Sequence, residues 1–186
     1  MKTLNFNQSG ILSIDNNTAN IFSILLGSLL IATLAQFSIH VPFSPVPITG
    51  QTIGVILLGG VLGSKRASMA VLAYLLEGAM GLPVFANMQA GAHILVGPTA
   101  GYLWGFVAAA FLTGYISEKG FTNKIYSSFL TCLLSTTLIL VIGTSYLLFF
   151  GLGINEALSA GFYPFLIGGG IKSSLCAMIL FYSRKF

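Results

Sequence analysis

The chain has 186 residues, of which 55% are apolar and only 6% charged, with a mean hydropathy of +0.92. A soluble domain of this size covers itself with roughly 25% charged residues, so a water-exposed globule is excluded and lipid must replace the missing polar surface. The formal charge of +4 comes from too few residues to mark a nucleic-acid partner.

Residues 1–20 are polar, with Lys2 and a run Asp15-Asn16-Asn17-Thr18 suited to capping a helix start. A secretory signal would place its apolar core sooner and follow it with a small-residue cleavage site. These residues are therefore expected to form a cytoplasmic N-terminal segment ahead of a retained span. Six apolar segments follow, at about 21–39, 48–62, 67–82, 99–117, 125–150 and 160–182. A span needs about 20 apolar residues, so the second and third are short and need shelter from their neighbours.

Breakers fall between the segments: Pro42, Pro45 and Pro47 after the first, Gly63-Ser64 after the second, and Pro83 and Gly97-Pro98 around a long connector. The connector 83–98 holds no Asp, Glu, Lys or Arg. An uncharged, Gly-containing loop of that length is expected to pack into the protein as a lid. The expected fold is all-α, a polytopic bundle of six transmembrane helices forming one domain over residues 1–186.

Charge placement orients the bundle. Alternate loops carry Lys65-Arg66, then Lys119 and Lys124, then Arg184-Lys185, whereas the intervening connectors carry only Glu156. Basic loops face the cytoplasm, so both termini are expected there, with 40–47, 83–98 and 151–159 outside. The expected location is the cytoplasmic membrane.

No Gly-x-x-x-x-Gly-Lys-Ser/Thr loop occurs, so energy for any pumping must come from a gradient or a separate ATPase. Cys132 and Cys176 lie in apolar stretches and are expected to behave as small hydrophobes. His40 and His93 stand apart from any Cys, Asp or Glu cluster, so no metal is expected. An intramembrane enzyme would need a nucleophile with a base, or a metal; the spans hold neither His nor Asp, and no activity of that kind is expected.

Two ionisable residues fall well inside the segments, Glu77 in the third and Lys172 in the sixth. Burying either charge costs about 3 kcal/mol on insertion scales, which makes each a functional candidate. Glu77 is about 15 Å from the cytoplasmic start of its helix and Lys172 about 18 Å from Arg184, at 1.5 Å per residue. Their matching depths predict that they face each other inside the bundle, the competing reading being a purely structural ion pair. Ser28 and Ala32, and likewise Gly105 and Ala109, have the small-x-x-x-small spacing of close helix contacts. Gly168-Gly169-Gly170 would free the sixth helix for a kink or a ligand. Thr49, Gln51, Thr52, Asn87, Gln89 and Tyr102 gather near the outer ends with Phe85, Trp104 and Phe106, the composition of a small-molecule pocket. Interfacial anchoring is the other role open to Trp104.

Three ordered motifs carry a resemblance: 45-PVPITGQT-52, 74-YLLEGAMGLPVFA-86 and 97-GPTAGYLWGF-106. Together they resemble the BioY family, biotin-binding membrane subunits of energy-coupling-factor transporters. The resemblance implies a six-helix capture subunit that holds biotin near the outer face beneath loops and has no cofactor of its own. ATP would be used only by separate ATPase subunits joined through a coupling protein. It also implies that Ser28 and Ala32 contact that coupling protein, and that Gln51, Asn87, Tyr102 and Lys172 meet biotin. The family's sixth helix resembles Pro-Phe-Leu-Pro-Gly-Asp-x-x-Lys, whereas this chain reads 164-PFLIGGGIK-172, with Gly169 where the aspartate would stand. Glu77 is the expected replacement carboxylate. Autonomous transport by a homo-oligomer, or a different vitamin as substrate, remain alternatives at this level.

Overall fold

The computed structural model describes residues 16–183. Helix α1 (Asn16–Ala35) leads into a short antiparallel hairpin, β1 (Ser38–Ile39) and β2 (Ile48–Thr49), in which Ser38 pairs with Thr49 and Ile39 with Ile48. Helices α2 (Gln51–Leu62) and α3 (Ser64–Ala79) follow, then the connector with two 3-10 turns at Ala86–Met88 and Ala92–Leu95. Helices α4 (Ala100–Glu118), α5 (Ile125–Leu147), the short α6 (Ile154–Gly161) and α7 (Tyr163–Ser183) complete the bundle.

The all-α expectation holds, and α1, α2, α3, α4, α5 and α7 correspond to the six apolar segments. Several boundaries differ. The first helix stops at Ala35 and the second starts at Gln51, because residues 38–39 and 48–49 satisfy their backbone groups in the hairpin. Part of the connector 151–159 is helical: Glu156 accepts from the Gly153 N–H at 3.1 Å and caps α6. The glycine run 168–170 lies inside an uninterrupted α7.

Helices in the α1, α4, α5 and α6–α7 regions are long and apolar enough to cross a membrane. At 1.5 Å per residue α2 is only about 18 Å long. It survives by occupying the centre: Gly54, Val55, Ile56, Leu58, Gly59 and Gly60 are all buried against α1, α3, α4 and α7. Gly59 permits a close crossing of α2 and α4, because a Cβ there would sit 2.9 Å from the Ala110 carbonyl oxygen and 2.7 Å from Thr113 Cβ on α4.

One residue, Gly63 at φ +81°, turns the chain from α2 into α3. The Glu118 carboxylate at the end of α4 accepts from the Ser64 N–H at 2.6 Å and from its hydroxyl, anchoring the positive end of α3. This end of the bundle carries Lys65, Arg66, Lys119 and Lys124. Gly60 meeting Leu180 brings the C-terminal part of α7 towards the same end. Arg184, Lys185 and residues 1–15 lie outside the described residues. Cys132 and Cys176 are free thiols in a buried cluster with Ile56, Ala177 and Leu180.

Candidate ligand-binding site

At the opposite end of the bundle the hairpin, the connector and α2, α4, α5 and α7 enclose a cavity of about 140 Å³. Its walls are apolar, formed by Phe85, Leu103, Phe106, Ile139, Leu140 and Phe165 with the ring of Tyr102. Polar groups are few: His40, Asn87 and Gln89 at the exposed mouth, and Thr49, Gln51, Thr52, Thr99 and Lys172 deeper. An apolar container with a few converging polar groups is the form that orients a small organic ligand.

Lys172 reaches this cavity from α7. Its ammonium donates to the Thr49 carbonyl at 2.7 Å, which leaves two of its three donors unspent. No ion pair joins it to a carboxylate among the described residues, so a ligand acceptor or anion is the natural complement. Beside it, Gly168 and Gly169 line a small side chamber of about 30 Å³ with Thr52 and Thr136.

Gln51 opens α2 and is buried between two hydroxyls. Its Oε1 accepts from Thr49 Oγ1 at 2.8 Å, and its Nε2 faces Tyr74 Oη at 2.5 Å. Tyr102 contributes its ring alone, because its hydroxyl donates to the Gly161 carbonyl at 2.8 Å and so ties α4 to α6. That ring lies 6.1 Å from the Phe165 ring.

Asn87 sits in the left-handed region at φ 57° and ψ 37°, a conformation asparagine tolerates better than most residues. Its amide accepts from the Ser38 hydroxyl at 2.6 Å and meets His40 Nε2 at 3.3 Å, joining connector to hairpin across the mouth. Gln36, at the end of α1, adds a second latch: it accepts from the Met88 N–H at 3.1 Å and donates to the Phe85 carbonyl at 3.2 Å. The uncharged connector does pack onto the bundle, as its composition predicts.

Four of the five expected ligand residues, Gln51, Asn87, Tyr102 and Lys172, therefore converge on one cavity. Glu77 does not. It lies on the side of α3 turned to α1 and accepts from the Ser28 hydroxyl at 2.8 Å. Phe85 fills the space between α3 and the cavity, its ring edge-on to Tyr74 at 5.5 Å and pressed against Gly78. The expected pairing of Glu77 with Lys172 is thus corrected: equal depth says nothing of direction around the helix axis.

Ser28 and Ala32, the expected partner contacts, do not lie on the exposed face of α1. These side chains are 2% and 8% exposed, turned into the seam with α3, where Gly27 approaches Ala70. The exposed face of α1 is made of Ile21, Phe22, Leu25, Leu26 and Leu29. Sequence reasoning also missed Ile139, Leu140 and Phe165, which carry no mark distinguishing them from lipid-facing neighbours. His40 was readable only through its place beside the Pro42–Pro47 turn.

Comparison with known proteins places the whole chain beside a family of transporters. A family model described as the BioY family matches residues 4–186. A protein named biotin transporter BioY from Thermotoga maritima is 42% identical over 147 residues, covering 79% of this chain and 86% of its own. One of the same name from Rhizobium etli is 36% identical over 168 residues, covering 86% and 89%. The crystal structure of the S-component for biotin from an ECF-type ABC transporter superposes with a TM-score of 0.84 at 26% identity, covering 94% of this chain and 96% of that one.

Proposed function

The chain belongs to the BioY family, and from that premise we propose that it captures biotin in the cavity beneath the connector and delivers it across the cytoplasmic membrane. Biotin transport is the function its named relatives share, and this membrane protein is no enzyme. The observation that supports the placement of biotin is the Lys172 ammonium, which has no carboxylate partner among the described residues, inside a largely apolar container with a few amides and hydroxyls. Biotin offers the complement: a ureido ring with donors and an acceptor, an apolar bicycle and a carboxylate tail.

In this reading Phe85, Phe106, Phe165 and the Tyr102 ring pack the bicycle. Lys172 meets an acceptor oxygen, Asn87 offers its amide at the mouth, and Gln51 acts from beneath. Breaking the Ser38–Asn87–His40 contacts opens the route in. The basic turns at Lys65-Arg66 and Lys119–Lys124 face the cytoplasm together with both termini, and the mouth faces out. The protein has no cofactor of its own. ATP is used by separate ATPase subunits acting through a coupling membrane protein, which supplies the energy that a chain without a phosphate-binding loop lacks.

The test is binding of labelled biotin to the purified protein in lipid nanodiscs, followed by uptake in cells with and without the coupling and ATPase subunits. Saturable binding with uptake only when the partners are present supports the proposal. Uptake by the chain alone would favour an autonomous homo-oligomer, and absence of biotin binding would end the reading.

A further inference from the structure

Thr49, Gln51 and Tyr74 form a hydrogen-bonded row running from the cavity into the seam behind it. The two ends of a carboxamide have the same shape, so which end faces which hydroxyl is settled by donor and acceptor logic. With the Gln51 nitrogen toward Tyr74, the phenol accepts and its own proton has no acceptor among the described residues. Tyr74 is completely buried, with 0% exposure, and an unpaired buried donor is costly.

Turning the Gln51 amide over removes the conflict. Tyr74 O–H then donates to Gln51 Oε1, and Gln51 Nε2–H donates to Thr49 Oγ1. Both separations, 2.5 Å to Tyr74 and 2.8 Å to Thr49, are compatible with this arrangement. The Thr49 proton is thereby released. Its oxygen is occupied by Gln51, its backbone is held by the pairing with Ser38 and by Lys172, and its side chain lines the cavity.

We propose that Thr49 donates a hydrogen bond to an acceptor oxygen of bound biotin, with Gln51 and Tyr74 as positioning residues that direct this proton into the cavity. The proposal rests on the biotin reading above. The acceptor is the ureido or the carboxylate oxygen, and both lie within the reach of chemistry shared with Lys172. Gln51, read from sequence as a ligand contact, becomes the residue that sets Thr49.

The experiment measures biotin affinity of wild type, T49V, T49S, Y74F and T49V/Y74F in nanodiscs, together with thermal stability without ligand. T49V should weaken binding about five- to tenfold, the usual worth of one neutral hydrogen bond, and T49S should stay near wild type. Y74F frees the amide to take the Thr49 proton back, so it should weaken binding by a similar factor. The double variant should be no weaker than T49V alone. Equal affinity of T49V and wild type, or additive losses in the double variant, would overturn the proposal. A T49V that fails to fold leaves the decision with Y74F, whose wild-type affinity would equally overturn it. Wild type that binds no biotin at all refutes the functional reading instead. For the acceptor, 2-iminobiotin replaces the ureido oxygen by a donor and biotin amide removes the carboxylate. The analogue whose affinity ratio between wild type and T49V falls to one identifies the oxygen Thr49 meets.

Discussion

Replacing Lys172 by methionine tests the site most directly. Methionine keeps the unbranched stem and volume while removing the ammonium, so apolar packing along α7 survives. Two consequences follow from the structure. The Thr49 carbonyl loses the donor that now lies 2.7 Å away, which loosens the hairpin end of the cavity. A bound biotin loses the remaining donors of the ammonium. A hydrogen bond to a charged group contributes about 1.5–3 kcal/mol, equivalent to roughly 10- to 150-fold in affinity. Titration calorimetry of K172M in nanodiscs should show a loss in that range, with K172R intermediate because the guanidinium is broader and needs more room. Binding within twofold of wild type would refute the assignment of Lys172 to the ligand.

Other consequences are equally specific. E77Q and E77L should bind biotin within about twofold of wild type, because Glu77 contacts Ser28 rather than the cavity; E77L should melt slightly earlier in a thermal-shift assay, since the Ser28 hydroxyl then keeps only its bond to the Leu25 carbonyl at 2.9 Å. G59A should lower thermal stability by the equivalent of about 1–3 kcal/mol, the cost of overpacking, because the new methyl meets α4 backbone at 2.9 Å. G168A should be neutral or stabilising by up to about 1 kcal/mol, as nothing lies within 4 Å of its Cβ position.

Reading the sequence recovered the helix order, the packing of the connector onto the bundle and nine cavity residues, because each leaves a local trace: long apolar runs, absent charge, polar side chains clustered near breakers. What it missed shares one physical cause. In water an apolar stripe marks the buried face of a helix, whereas in a membrane the lipid-facing side is just as apolar, so direction around the axis is hidden. Ser28 and Ala32 looked like an outward contact and face α3. Glu77 had the right depth and the wrong side. Ile139 and Leu140 line the cavity but resemble the other aliphatic residues of α5. The hairpin at 38–49 was masked by prolines that read as plain loop, and its pairing depends on partners nine to eleven residues apart.

The position of Glu77 against Ser28 on α1 bears on selectivity. With Gly169 lacking a side chain and Glu77 turned to α1, the cavity lining carries one cation, Lys172, and no carboxylate. The charge then favours an anionic ligand even without contact. At a separation of about 8 Å and an effective dielectric of about 20, two unit charges attract by roughly 2 kcal/mol, or about thirtyfold in affinity. Biotin amide should accordingly bind more weakly than biotin by an order of magnitude or more, and the difference should shrink sharply in K172M. Introducing a carboxylate by G169D should shrink it too by neutralising the lysine, although a Cβ at that position already stands 3.0 Å from Thr136 Cγ2 and the helix must yield slightly. Equal affinities of acid and amide in wild type would show that the ligand carboxylate lies beyond the reach of Lys172, and would reserve the ammonium for the ureido oxygen.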